Sequence, residues 1–441
     1  MSKLAEKIDA EQQLSIATKD ALYEAYLADG RPWVIAYSGG KDSTLVLQLV
    51  FEVLMDLGGQ ARKPVYVISS DTQVEAPNVV GYVEDVMDAI HTNALERGLP
   101  VTCHLVRPKL SETFWAKLIG RGYPPPTRWF RWCTTNMKIK PSRREIDKIV
   151  AEHGSVILLL GSRTAESSSR KQRMDARQTN FRNLNTHHEI PNAFVLTPIS
   201  TWGNEDVWEY LYENNPPPWE RSHNQMLTLY RKAVGGECPV VMDLNTPSCG
   251  GSRFGCWVCT VVKFDRSMEG FIEAGEEWMR PLADFRNWLK VFREQESVRM
   301  KRRRDGTVGP GPFTPLARVE ILKQLLDAEA KVGVRLISDA EIGYIQSVWS
   351  SEFDLKEQAF SIAAGFNRQI EGNVKMSLDE DAVSMLEDIA AGRGLPPDLV
   401  GKILELEPQY SNLDRWGARP ELRRQLEDLI KVAESCEANA K

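Results

Sequence analysis

At 441 residues the chain is long for a single core, and with 42% hydrophobic and 26% charged residues it reads as two or three globular domains rather than a disordered segment. Lys and Arg number 55 against 61 Asp and Glu, a formal charge of −6, so the whole molecule has no basic footprint of the kind that marks many nucleic-acid binders. No apolar run approaches the roughly 20 residues of a bilayer crossing, and the first turns of sequence lack a secretory apolar stretch; a cytoplasmic protein with no membrane partner is expected.

In chain order, residues 3–28 read as an amphipathic helix. Trp33-Val34-Ile35-Ala36-Tyr37 is a short apolar run that ends in Ser38-Gly39-Gly40-Lys41-Asp42-Ser43. Leu45, Leu49, Val50 and Leu54 then recur near helical spacing, which places the Gly-Gly segment on a strand-to-helix turn. Apolar strands at Val65–Ser69, Val101–Val106 and Val156–Leu160 alternate with helical patterns at about 78–96 and 141–152, the pattern of a parallel sheet with helices on both faces. The Pro-rich stretch Tyr123–Thr127 and the following Arg128-Trp129-Phe130-Arg131-Trp132-Cys133 read either as a loop carrying function or as a buried structural loop. Residues 203–213 form a short helix, 235–260 is rich in Gly and Cys, and helical patterns dominate from there, interrupted by the loop Gly306–Pro315. The expected division is an N-terminal helix at 1–30, a nucleotide domain at 31–220, a cysteine insert at 221–270 and a helical C-terminal region at 271–441.

Ser38–Ser43 carries the strongest chemical signal. Glycines at a strand end let backbone N–H groups converge on an anion at a helix N-terminus, where the helix dipole also favours negative charge. Lys41 adds a point charge for phosphate. The G-x-x-x-x-G-K-[ST] spacing of a Walker A loop is absent. The six residues resemble instead the PP-loop of the ATP pyrophosphatases, which bind the leaving pyrophosphate and form an adenylate.

The resemblance continues downstream. Ser69-Ser70-Asp71-Thr72 is similar to the S-D-T of the phosphoadenylylsulfate reductase branch, whose acidic residue lies by the nucleotide. Arg131-Trp132-Cys133-Thr134 with Met137-Lys138 and Pro141 resembles its R-x-C-T…K…P segment, and Gly161-x-Arg163-x-x-Glu166-Ser167-x-x-Arg170 its G-x-R-x-x-E-S-x-x-R. Pro198-Ile199, Trp202 and Asp206-Val207-Trp208 follow in the same order. Together these imply an α/β, adenine-nucleotide α-hydrolase-like fold. They assign Ser38, Gly39, Gly40, Lys41, Asp42, Ser43, Asp71, Arg163 and Arg170 to nucleotide binding, with ATP and Mg2+, and give Lys41 and Asp42 catalytic roles.

Seven cysteines in a chain without an export signal point to metal or catalysis rather than to disulfides. Cys238, Cys249, Cys256 and Cys259 are spaced C-x10-C-x6-C-x2-C, enough thiolates for a tetrahedral Zn2+ or a [4Fe–4S] cluster. This pattern, set behind a reductase-like PP-loop domain and ahead of a helical tail, resembles the DndC family, the ATP-pyrophosphatase component of the bacterial DNA phosphorothioation machinery, whose members carry an iron–sulfur cluster. That resemblance implies ATP-dependent sulfur transfer to DNA as part of a restriction-modification defence, with a cysteine desulfurase and the other phosphorothioation components as partners. Alternatives are a sulfonucleotide reductase, against which the missing Glu-Cys-Gly tail counts, and a tRNA thiolase. Cys133 reads as a persulfide carrier, its pKa lowered by Arg131 and Lys138, or as an inert buried thiol. Cys103 reads as core. Basic clusters at Lys138–Lys148, Arg163–Arg173 and Lys301-Arg302-Arg303-Arg304 are either solvated faces or a phosphate-tracking groove on an acidic body.

Overall fold

A computed structural model describes residues 3–166, 172, 184–187, 189–233, 255–354 and 357–370. Its sheet has six strands: β1 (Trp33–Tyr37), β2 (Val65–Ser70), β3 (Val101–Val106), β4 (Val156–Leu159), β5 (Asn185–Thr186) and β6 (Ala193–Leu196). They lie in the order β3-β2-β1-β4-β6-β5. Trp33 stands in register with Val65 of β2 on one side and Ile157 of β4 on the other, both parallel, and only β5 runs antiparallel to its neighbour β6. Strands covered on both faces read as continuous apolar runs, which is why β4, Val-Ile-Leu-Leu, is buried at every position.

The helices follow from the same economy. Helix α1 (Lys3–Leu27) precedes the sheet; α2 (Lys41–Leu57), α3 (Pro77–Glu96) and α4 (Lys140–His153) are its crossovers; α5 (Asn204–Glu213), α6 (Asn224–Lys232) and α7 (Arg266–Glu273) follow it. Helix α2 buries twelve of its side chains, among them Leu45, Leu49, Phe51 and Leu54, because it sits at the centre of the core rather than at its rim. Chain order reverses between β1 and β4: β1 is followed outward by β2 and β3, while β4 leads the other way. In open α/β sheets ligands bind outside the carboxyl ends of the strands at such a switch point.

Two compact units partition the chain: Met1–Lys109 with Pro126–Ala283, and Leu110–Pro125 with Asp284–Lys441. The first holds the sheet. In the second, helices α9 (Pro315–Val332) and α10 (Asp339–Glu352) pack on the early segment 110–125 and α11 (Gln358–Gly365) packs on those two helices, with α8 (Arg280–Phe292) starting at the boundary. Trp115 donates its indole N–H to the Leu336 carbonyl at 2.7 Å and Trp349 donates to Ile119 at 3.0 Å. The Arg318 guanidinium, buried, donates to the carbonyls of Gly120 and Phe313 and pairs with Glu352.

The parallel sheet with flanking helices and the helical C-terminal region agree with the sequence-based expectation, but the four-cysteine metal insert does not. Among the described residues no group of three or more His, Cys, Asp or Glu side chains is placed to hold a metal ion, so neither the [4Fe–4S] cluster nor the Zn2+ alternative finds a centre. Cys238 and Cys249 lie outside the described residues. Cys256 and Cys259 form no disulfide among the described residues.

Candidate active site

Strand β1 delivers its last residue, Tyr37, to a three-residue turn, and α2 begins at Lys41. Gly39 takes φ +72°, and a Cβ there would fall 2.6 Å from Val83 Cγ2, so only glycine lets the backbone pass. Gly40 is the extended residue before the helix, and its carbonyl accepts from Thr44 N at 2.9 Å, Ser43 Oγ at 2.9 Å and Thr44 Oγ1 at 3.0 Å. Ser38 closes the turn through its N–H to Ser43 Oγ at 3.2 Å. The first N–H groups of α2 have no partner within the helix, an arrangement that favours negative charge at this end. One of them, Lys41 N–H, donates to the Tyr230 hydroxyl at 3.3 Å.

Charge is concentrated behind the turn. Asp42 Oδ2 accepts from Lys41 Nζ at 3.0 Å, and Asp42 Oδ1 from Arg163 Nε at 2.7 Å. Arg163 is 3% exposed and also donates to the Trp202 carbonyl at 3.3 Å. One carboxylate therefore orients two cations, and the group keeps a net positive charge beside the helix end. Gly161, just past β4, allows the close approach: a Cβ on it would lie 2.8 Å from the Asp42 carbonyl oxygen.

The turn opens on a cleft of about 550 Å3, within the range of small-molecule sites. Val34, Ile68 and Leu158 give it apolar walls, while Asp71, Lys138 and Ser162 supply polar groups. Asp71 accepts from Arg107 Nε at 2.7 Å and from Gln73 N–H at 2.8 Å. Of the residues assigned from sequence, Ser38, Gly40, Asp42, Ser43 and Asp71 line this one cleft, with Gly39, Lys41 and Arg163 joined to it through the contacts above. Arg170 lies outside the described residues.

The cysteines fall differently from the expectation. Cys133 opens the helical segment that runs into α4 and is partly buried. Burial pushes its thiol up, hydrogen bonding with Thr134 works against that, and Cys259 pushes it up further; the lowering expected from Arg131 and Lys138 is not found. Cys256 forms a bridge with Glu75, and its Sγ lies 3.5 Å from Thr72 Oγ1. Burial pushes the Cys256 thiol up to about 12. Cys103, on β3, is likewise pushed up to about 12 by burial.

Two cleft residues escape motif reasoning. Tyr230 belongs to a helix whose residues match no motif, and it reaches the turn from almost two hundred positions away. Glu75 accepts from Thr72 N–H at 2.9 Å, faces Lys138 Nζ at 4.0 Å, and is pushed up from the ordinary carboxylate range by burial. Its only sequence signal is its place in the loop that follows β2.

A glycine turn at the end of the first strand, a buried cation pair behind it and a cleft at the switch point define a PP-loop, adenine-nucleotide-hydrolase-like enzyme fold. Residues 32–262 match the model of the phosphoadenosine phosphosulfate reductase domain, and the chain belongs to that family. Residues 381–431 match a second model, a small protein found in certain Dnd DNA modification systems. The chain is 25% identical to an uncharacterised protein of Methanocaldococcus jannaschii over 258 residues, 58% of this chain and 42% of that protein. A second uncharacterised protein of that organism is 25% identical over 288 residues, 65% of this chain and 56% of that one. The chain thus spans about half the length of the curated relatives it matches. Among solved structures, the phosphoadenylyl-sulfate reductase of Candida auris in a phosphate complex aligns at 15% identity and a TM-score of 0.30, over 48% of this chain and 87% of that one. Among the described residues no helix is long and apolar enough to cross a membrane.

Proposed function

We propose that the cleft binds an adenine nucleotide with its phosphates on the Ser38–Ser43 turn, and that the chain uses this nucleotide in sulfur transfer. The observation that carries the reading is the Gly39–Gly40 approach, free of Cβ atoms, to a helix end backed by Lys41 and Arg163. With ATP, an acceptor oxygen attacks the α-phosphorus, the bond to the bridging oxygen breaks, and pyrophosphate departs with its negative charge on the backbone N–H groups and Lys41. Asp42 positions Lys41 and Arg163 for this step.

Family membership over 32–262 favours a sulfonucleotide as the substrate, in which a thiol attacks sulfur and an adenosine phosphate leaves. The match at 381–431 favours a second reading, sulfur modification of DNA. There a backbone phosphate oxygen is adenylylated by ATP with loss of pyrophosphate, sulfide or the outer sulfur of a cysteine persulfide attacks the phosphorus, and AMP leaves with the displaced oxygen; in the persulfide case a thiol reductant then cleaves the S–S bond to free the phosphorothioate. Cys133 is the candidate persulfide carrier in that scheme.

Product analysis separates them. Pyrophosphate and AMP from ATP support the second reading, sulfite from phosphoadenylyl sulfate with a thiol reductant supports the first, and ADP with phosphate overturns α–β cleavage. Lys41→Ala is expected to abolish turnover while costing about 1–3 kcal/mol of stability, because at the first position of α2 it removes one charged hydrogen bond, to Asp42, and no apolar core volume.

A further inference from the structure

The basic clusters separate once their partners are known. On α4 and the helical turn before it, Lys138 faces Glu75, Arg143 pairs with Asp147, and Lys148 pairs with Glu145, so three of the five cations of that run face carboxylates on its own helix and the adjoining loop. Lys301-Arg302-Arg303-Arg304 is different. It lies on a hairpin in the second unit, held by antiparallel bridges between Arg299 and Phe313 and between Arg302 and Val308. Met300 N–H donates to Pro312 at 2.8 Å, Gly309 N–H to Lys301 at 3.0 Å, and Arg303 N–H to Thr307 at 2.9 Å.

All four cations are exposed, and among the described residues none of them pairs with a carboxylate within 4.0 Å. Two of the guanidiniums bond carbonyls instead: Arg302 donates to Gly306 at 3.0 Å, and Arg304 donates to the Arg121 carbonyl while lying 5.3 Å over the Tyr123 ring. A carbonyl fixes a guanidinium without cancelling its charge. The single acidic residue of the tip, Asp305, is turned onto Thr307, accepting from its N–H at 2.9 Å and its hydroxyl at 2.6 Å. The result is a narrow, ordered ribbon carrying concentrated positive charge on a chain of net charge −6.

We propose that this hairpin docks on duplex DNA, with Lys301, Arg302 and Arg303 against backbone phosphates. The proposal rests on the DNA reading given above. A two-stranded ribbon fits the major groove of B-form DNA, about 12 Å wide, whereas the major groove of A-form RNA is too deep and narrow for side chains to read. The charge density suits a polyanion whose condensed counterions are released on contact.

Binding of the full-length chain to a labelled mixed-sequence DNA duplex, measured without nucleotide across a salt series, tests it. The triple variant K301A/R302A/R303A leaves Arg299 and Arg304, which brace the hairpin, in place. Its affinity is expected to fall about tenfold or more at moderate salt, with the salt dependence shallower by about one unit per lost phosphate contact. The charge-conserving R302K/R303K should keep the wild-type slope, which distinguishes lost charge from a damaged fold. An unchanged slope in the triple variant, no duplex binding by the wild type, or tighter binding to a structured RNA overturns the proposal. Pyrophosphate release from ATP is read separately, so failure of the cleft assignment and failure of the hairpin assignment give different results.

Discussion

Gly161 has no functional group, yet it sets how close β4 comes to the first turn of α2. A methyl group there would sit 2.8 Å from the Asp42 carbonyl oxygen and 3.0 Å from Ser43 N, both backbone atoms that cannot swing aside. Gly161→Ala should push the phosphate turn outward, costing about 1–3 kcal/mol as other overpacked sites do and weakening nucleotide binding measured by calorimetry; an unchanged affinity would mean the turn adapts freely. Tyr230 gives a milder test. Tyr230→Phe keeps the edge-on packing against Trp208, 4.9 Å between ring centres, and removes only the hydroxyl that accepts from Lys41 N–H. Stability should fall by about 1 kcal/mol, and pyrophosphate affinity should change with it. The strand-to-helix turn at Gly39, Gly40 and Lys41 was legible because so tight a turn restricts its residue types, with Gly39 at φ +72°. Tyr230 was not, because any residue able to reach the turn from α6 would satisfy the local sequence equally well.

The elements were read with similar unevenness. Expected strands at Val65–Ser69 and Val156–Leu160 are found at Val65–Ser70 and Val156–Leu159, and the expected helix at 141–152 at Lys140–His153. Buried parallel strands are apolar at nearly every position, so they announce themselves. Strands β5 and β6 did not, since Asn185–Thr186 is two residues long and only Ala193 and Leu196 of β6 are fully buried. The four-cysteine spacing was compelling in one dimension, but a metal site needs side chains that converge in space, and among the described residues no three His, Cys, Asp or Glu do so. Helix α6 is fixed to α2 through His223, whose Nε2 lies 2.8 Å from Gln48 Oε1, while Gln48 Nε2 donates to Asn214 at 2.9 Å. Burial holds His223 neutral and pushes it down to about 4 from its ordinary 6.5. As pH falls below 6.5 the unfolded chain takes up this proton first, so stability present at neutral pH is lost between pH 6.5 and 4, by up to about 3 kcal/mol. Denaturant unfolding at pH 7 and pH 5 should show a smaller loss in His223→Leu than in the wild type; equal losses would place the titration elsewhere.

At the scale of the whole chain, the sequence suggested a helical region that begins after the cysteine insert, and the second unit does take its helices from there. What no composition shift revealed is that this unit also takes Leu110–Pro125, a segment that precedes α4 and β4. Phe114, Trp115, Leu118 and Ile119 are all fully or nearly fully buried, and the carbonyls of Ile119 and the adjacent Gly120 accept from Trp349 and Arg318. Burying each such side chain is worth about 1.5–3 kcal/mol, so losing the four is on the order of the 5–15 kcal/mol that holds a domain together. Without the segment, the buried Arg318 would also keep its charge with one carbonyl acceptor fewer, a further cost. A fragment comprising residues 284–441 should therefore fail to unfold cooperatively and should lack the near-ultraviolet circular dichroism of packed tryptophans. Joining residues 110–125 to its N-terminus through a flexible linker should restore both signals. A cooperative transition in the fragment without the segment would show that the helices form their core alone, and that the early segment is only laid upon it.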